Sequence, residues 1–200
     1  MCVDKKVEWH MKKIVVFSFF IFVSASLYGT ASEHKRSRFF SAFSAGYAFK
    51  HDCEFKKVYG HGMANIITAD GCYYPWKNWG VGMKTSYWRA KGRTTFLKRR
   101  THLYEVPITF YLRAKKAFQS GLDLYASLGG GVALIKEKSY LGKKRFNKGI
   151  GEVEVGLVYP VWRCVNLVGA FRYLFPHQSQ GCDKVDVGGF DLRAGIGFSF

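Results

Sequence analysis

Four groups of side chains in this 200-residue sequence could do chemistry. His177 and Ser179, in the segment "PHQSQG", stand at i and i+2. On an extended strand they share a face, where an imidazole can take the serine proton and make the oxygen a nucleophile. Bases form the second group. Arg89, Lys91, Arg93, Lys98, Arg99 and Arg100 make one run, and Lys136, Lys138, Lys143, Lys144, Arg145 and Lys148 another. Ammonium and guanidinium donors suit phosphate or sulfate oxygens, so Arg93, Lys98, Arg99, Arg100, Lys143, Lys144 and Arg145 are candidate anion-binding residues. The same charges could also serve only as a solvated loop surface. The third group is spread out: Glu105, Asp123, Glu152, Glu154 and Asp191 among the acids, Lys84, Arg113, Arg172 and Arg193 among the bases. The fourth is Cys53, Cys72, Cys164 and Cys182. No C-x-x-C or Cys/His spacing points to a metal, and no motif points to a cofactor. Gly129-Gly130-Gly131 lacks the following Gly-Lys-Ser/Thr of a phosphate loop. Inside a strand, such a run makes room for a bulky neighbour or eases curvature.

Location narrows these options. The stretch "MKKIVVFSFFIFVSASLYGTAS" begins at Met11 with Lys12 and Lys13, continues through an apolar run from Ile14 to Val23, and ends in small residues. That is the pattern of a secretory signal peptide, too short to span a membrane, with cleavage expected after Ala31 and Met11 as a possible true start. Residues 32–37 are expected to form a short periplasmic segment and 38–200 the folded domain. Cleavage removes four basic and two acidic residues and takes the net charge from +17 to +15. A strongly basic chain suggests an anionic partner. Export removes nucleic acid and leaves lipid or polysaccharide. Exported thiols meet an oxidising compartment, where disulfides form.

Hydrophobic residues make up 48% and aromatics 18% of the chain, yet mean hydropathy is only -0.09, so apolar and polar residues must be interleaved. The interleaving has a period of two, the signature of strands with unlike faces. Phe39, Phe43, Tyr47 and Phe49 oppose Ser44, Gly46 and Lys50; Trp79, Val81, Met83 and Tyr87 oppose Gly80, Gly82, Lys84 and Ser86. Tyr104, Val106, Ile108, Phe110 and Leu112 oppose Glu105, Pro107, Thr109 and Tyr111. The segments around 122–134, 151–161, 165–175 and 190–200 alternate likewise, and "HGMANIITADGCYY" fits one more strand with poor alternation. Short turns fall near 75–78, 115–120 and 162–165, and long polar loops near 51–59, 90–101, 136–149 and 176–186. Eight strands, with short turns at one end and long loops at the other, predict an all-β, eight-stranded antiparallel up-and-down transmembrane β-barrel.

The charges set its polarity. Glu105, Asp123, Glu152, Glu154, Asp191, Lys84, Arg113, Arg172 and Arg193 all fall on the polar faces, so they should meet in the lumen as a paired network. Eight strands enclose little more than side chains, so an open pore is not expected. Tyr73, Tyr74, Trp76, Trp79, Tyr159 and Trp162 near the short turns, and Tyr47, Tyr87, Trp88 and Tyr173 near the long loops, read as two aromatic girdles at membrane interfaces.

From about Arg38 to Phe200 the chain resembles the small eight-stranded outer-membrane β-barrels of Gram-negative bacteria, the OmpA/OmpX-like and opacity types. The resemblance rests most on Leu192, Ala194, Ile196, Phe198 and Phe200, which match the C-terminal signal read by the barrel-assembly machinery in that group. It implies a cell outer membrane location, contact with membrane lipid and lipopolysaccharide, and a monomer. Such barrels include adhesins, structural anchors and a few lipid-modifying enzymes. The reading favoured here is a structural or adhesive barrel, not an enzyme, whose basic loops contact lipopolysaccharide or anionic host glycans. Lipid A deacylases of this kind carry His-x-Ser, usually followed by Asn. Here Gln180 follows Ser179, and Pro176 should end the strand just before. A lipid A hydrolase is therefore the alternative, and a small pore a third. Barrel closure would bring the first and last loops together, so Cys53 and Cys182 are the disulfide candidate. Cys72 and Cys164 would then be left for cross-links to other envelope proteins.

Overall fold

The alternating segments form eight strands in a computed structural model, which describes residues 38–50, 59, 63–93, 100–118, 121–139, 142–176 and 188–200. They are β1 (Phe39–Lys50), β2 (Met63–Tyr73), β3 (Trp79–Arg93), β4 (Arg100–Ala117), β5 (Asp123–Ser139), β6 (Gly142–Trp162), β7 (Val165–Pro176) and β8 (Gly189–Ser199). Each pairs antiparallel with the next, and β8 pairs with β1 to close the barrel. Closure is continuous to the bottom of the seam, where Phe39 and Phe200 exchange backbone hydrogen bonds of 3.0 and 2.9 Å. A closed ladder leaves no edge, which is what a sheet needs in a medium that cannot hydrogen-bond to it.

Two faces follow from the period of two. Outward side chains form an apolar wall, with Phe110 65%, Leu128 65% and Leu192 59% exposed. Inward positions across the middle of the wall hold charged residues, nearly all buried. An apolar exterior around a polar interior is the polarity of a membrane barrel and the reverse of a water-soluble one. The shortest strands have 11 residues, enough to cross a bilayer at a tilt of about 45°.

The wall is uneven in height. Strand β6 has 21 residues, ten more than β8, so the β4–β6 side extends well beyond the opposite side. This corrects the expected loops. Most of 136–149 is a paired hairpin, with Lys136 opposite Arg145 and Lys138 opposite Lys143. Residues 90–93 likewise pair with 100–103. Polar residues on both faces read as a loop in sequence, but the backbone ladder does not depend on lipid contact and continues into water.

The poor alternation of β2 has a simple cause. Ile66 and Cys72 point inward while Ala69 and Gly71 lie on the outward positions, so its two faces differ little in hydropathy. Two expected girdle residues also turn in. Trp88 is buried beside Lys50 (Nζ to ring, 4.6 Å), and Tyr74 is buried beneath Lys115 (4.8 Å). Trp76, Trp79, Tyr159 and Trp162 remain exposed at the short-turn end, and Tyr47 and Tyr173 towards the other.

Candidate functional site

The lumen is filled in layers. At the short-turn end lies an apolar and aromatic layer with Phe40, Tyr74, Tyr125, Val158 and Val168. Its mouth is a shallow cavity where Lys115 and Asp123 pair at 3.4 Å, both partly exposed. At the loop end a second apolar cluster packs Ile66, Trp88, Leu103, Ile135, Ile150 and Leu174, with Tyr59 and Phe146 against it. Burial there pushes the Tyr59 phenol above its ordinary pKa.

Between the two apolar layers sits a charged one. Lys84 on β3 reaches across the barrel to β6, with Nζ 2.7 Å from Glu154 and 3.0 Å from Glu152. Glu154 also pairs with Arg193, lies 3.7 Å from Arg113, and accepts a 3.0 Å hydrogen bond from the Tyr125 hydroxyl. Arg172 donates from Nε to Asp191 at 2.8 Å and lies 3.5 Å from Glu152. Arg193 Nε is 2.7 Å from the second Asp191 oxygen, an ion-pair distance without hydrogen-bond alignment. Arg113 pairs with Asp70 at 2.6 Å, and its guanidinium is stacked near Tyr125 (4.2 Å) and Tyr111 (4.7 Å). Tyr111 hydrogen-bonds Asp70. Glycine makes this packing possible. A Cβ at Gly82 would collide with the Tyr111 hydroxyl, and one at Gly156 with the Tyr125 hydroxyl.

These contacts involve four acids (Asp70, Glu152, Glu154, Asp191) and four bases (Lys84, Arg113, Arg172, Arg193). A fifth pair stands above them, Lys50 to Glu105 at 3.1 Å, both buried. The lumen is thus balanced in charge, as buried ions must be to avoid a large desolvation cost. Asp123 departs from expectation: it has the right parity but lies at the mouth, away from the network. Asp70 joins from β2, where weak alternation hid its face. Lys50 was placed on the polar face by sequence, but its partner was not visible.

The other charged region is the loop-end rim. Lys143, Lys144 and Arg145 are exposed on the upper part of β6. Arg93 and Arg100 are register partners at the top of β3 and β4. Tyr104 is buried, with Arg89 at 5.1 Å and Lys138 at 5.5 Å from its ring. Arg89 Nη2 lies 3.5 Å from His102 Nδ1.

Other expected residues are placed as follows. Leu192 and Ile196 are exposed on the outer wall of β8, with Phe198 half-buried on the same face and Phe200 half-buried just beyond it. Cys72, expected to be available for cross-links, is a buried thiol in the lumen, whereas Cys164 is an exposed thiol in the β6–β7 turn. His177, Ser179, Cys53, Cys182, Lys98, Arg99 and the segments 1–31 and 32–37 lie outside the described residues. Among the described residues no group of His, Cys, Asp and Glu could hold a metal ion.

No protein-family model matches the chain, and no curated protein matches it in sequence. Solved structures do match. The outer membrane protein OprG of Pseudomonas aeruginosa gives a TM-score of 0.61 at 14% identity, over 84% of this chain and 98% of that one. Neisserial surface protein A gives 0.56 at 16% identity, over 84% and 100%. Ail, the attachment invasion locus protein of Yersinia pestis, was solved with the heparin analogue sucrose octasulfate; it gives 0.51 at 17% identity, over 82% and 99%. At such identities the likeness establishes the fold, and the fold is that of the small outer-membrane β-barrels.

Proposed function

We propose that the chain is a closed, monomeric barrel of a Gram-negative cell outer membrane, structural or adhesive in role, whose basic loop-end surface holds anionic glycan or lipopolysaccharide. The observation that carries this reading is the division of charge. The buried ion pairs of the lumen set five acids against five bases, while the chain as a whole is +17, so the excess positive charge lies outside those pairs. Much of it stands on the β3–β4 and β5–β6 hairpins, at the end a barrel presents to the cell exterior. The apolar wall supports the membrane location, and the two apolar layers flanking the charged one argue against a continuous water path. Ail, which shares the fold, was crystallised with a polysulfated sugar, a ligand of the chemistry these bases suit. On the same reading, the outward row of β8 is the strand that the assembly machinery recognises.

Purified protein should bind immobilised heparin or lipid A in a salt-sensitive way, and the triple change Lys143→Ala, Lys144→Ala, Arg145→Ala should release it at moderate salt. Equal retention of the triple variant would count against the reading. Steady ion conductance in planar bilayers would overturn the closed lumen.

A further inference from the structure

At the short-turn end, each connection between strands has one exposed base in it or beside it. Lys77 stands in the β2–β3 turn, Lys116 at the foot of β4 and Arg163 in the β6–β7 turn. Two strands lie between one connection and the next, so the three bases are spread around the barrel. Each also has an exposed ring as a neighbour. Trp76 (69% exposed) precedes Lys77, Trp162 (72%) precedes Arg163, and the ring of Phe118 (45%) lies 5.7 Å from Lys116 Nζ. Backbone hydrogen bonds hold these connections in place. Lys115 donates to Asn78 at 2.8 Å, Phe118 to Leu122 at 2.9 Å and Ser199 to Cys164 at 2.9 Å.

The perimeter of this end carries charge of one sign. Among the described residues the one acidic side chain there is Asp123, which lines the mouth and pairs with Lys115. No described acid pairs with Lys77, Lys116 or Arg163. The seam differs from the three connections. Arg38 is exposed there, but the terminal carboxylate of Phe200 stands beside it and accepts the Phe39 N–H at 3.0 Å, so the seam adds little net charge. On β4 the outward positions run Phe110, Leu112, Ala114 and then Lys116, which makes Lys116 the first polar residue below the apolar wall.

We infer that the perimeter of the short-turn end binds the headgroups of anionic glycerophospholipids in the leaflet it faces. This goes beyond the proposed function, which concerns the opposite end, and stands or falls separately from it. Exposed indole rings settle at headgroup depth, so a base next to one in the chain reaches the lipid phosphates. A headgroup without an ammonium leaves its phosphate charge free for the lysine or arginine. The spacing of the bases selects lipid over a soluble polyanion. A compact polyanion is held by bases gathered on one side or over the mouth, whereas these stand apart and the pair at the mouth is already matched. An annulus of lipid meets all three at once.

The chain's own tryptophans read this end. Trp76, Trp79 and Trp162 are exposed there, and Trp88 is buried in the lumen. The test uses the full chain with Trp9→Phe, which removes the one remaining tryptophan, in mixed vesicles of phosphatidylglycerol and phosphatidylcholine. Bromine is placed on the acyl chains of one lipid or the other, and quenching of the indole fluorescence gives their relative association at this end. Phosphatidylglycerol should be favoured about fivefold, the worth of about one base near an anionic surface. The triple change Lys77→Ser, Lys116→Ser, Arg163→Ser should bring the ratio to about one, and so should about 1 M salt on the unaltered bases. Lys143→Ala, Lys144→Ala, Arg145→Ala at the loop end should leave it unchanged. Far-UV circular dichroism checks that each variant keeps its strands. Equal quenching by both brominated lipids at low salt, a ratio that ignores salt, or equal loss with the loop-end triple would overturn the inference. Loss of the preference on adding soluble polyglutamate would reassign the bases to a soluble polyanion and overturn it too. None of these outcomes touches heparin or lipid A binding at the loop end.

Discussion

The two flanks of the barrel solve the same problem, where to end the membrane, with different side chains. On β7, β8 and β1 the wall finishes in packed rings: Phe49 and Phe190 stack at 4.9 Å, Phe171 and Phe190 meet tilted at 5.9 Å, and Tyr173 and Phe175 meet edge-on at 4.7 Å. Aromatic rings fit an interface because they are apolar in body and tolerate nearby headgroups. On β3 to β6 the wall finishes in bases, and the strands then continue into water. The difference between them is not forced by the fold, since both flanks share one ladder and one lumen.

What joins the flanks is the central charged layer, and its loss should have the largest effect. Glu154→Gln removes the carboxylate on which Lys84, Arg113 and Arg193 converge. Unfolding by urea in lipid vesicles should show about 3–5 kcal/mol less stability, the usual cost of leaving buried charges unmatched. A much smaller loss would mean that the flanks stand independently. Next comes a charge placed in lipid on the aromatic flank. Ala194→Arg, midway down β8, should cost about 2–4 kcal/mol, whereas Leu134→Arg, at the upper edge of the basic flank, should cost about 0–1. Equal costs would erase the contrast in depth.

The fold could be read from sequence because lipid on one side and packed charge on the other impose an uninterrupted period of two. Glu152, Glu154, Arg172, Asp191 and Arg193 were all placed on a face correctly by parity alone. The misplacements have physical causes. Parity gives the face but not the height, so Asp123 was assigned to a network it is too low to reach. Trp88 and Tyr74 were taken for girdle residues by their type, yet a lumen seals well with large rings. Strand β2 hid Asp70 because Ile66 and Cys72 are apolar on the inward face. The basic surface was found as composition, but its rows were invisible. They exist only in the register between strands, and a single sequence does not print which residue lies beside which.

Strand β1 has a consequence of its own. The eight charges of the central layer come from β2, β3, β4, β6, β7 and β8. Strand β5 adds the Tyr125 hydroxyl, while β1 offers that layer the ring of Phe40, 5.7 Å from Arg113. Strand β1 is therefore held by its ladders with β2 and β8, by apolar contact and, across the lumen, by the high pair of Lys50 with Glu105 on β4. A cylinder with one lightly bolted stave opens there first. Amide protons along β1 should trade with solvent deuterium sooner than those of β6. The same stave is the natural last piece to be set when the sheet rolls shut.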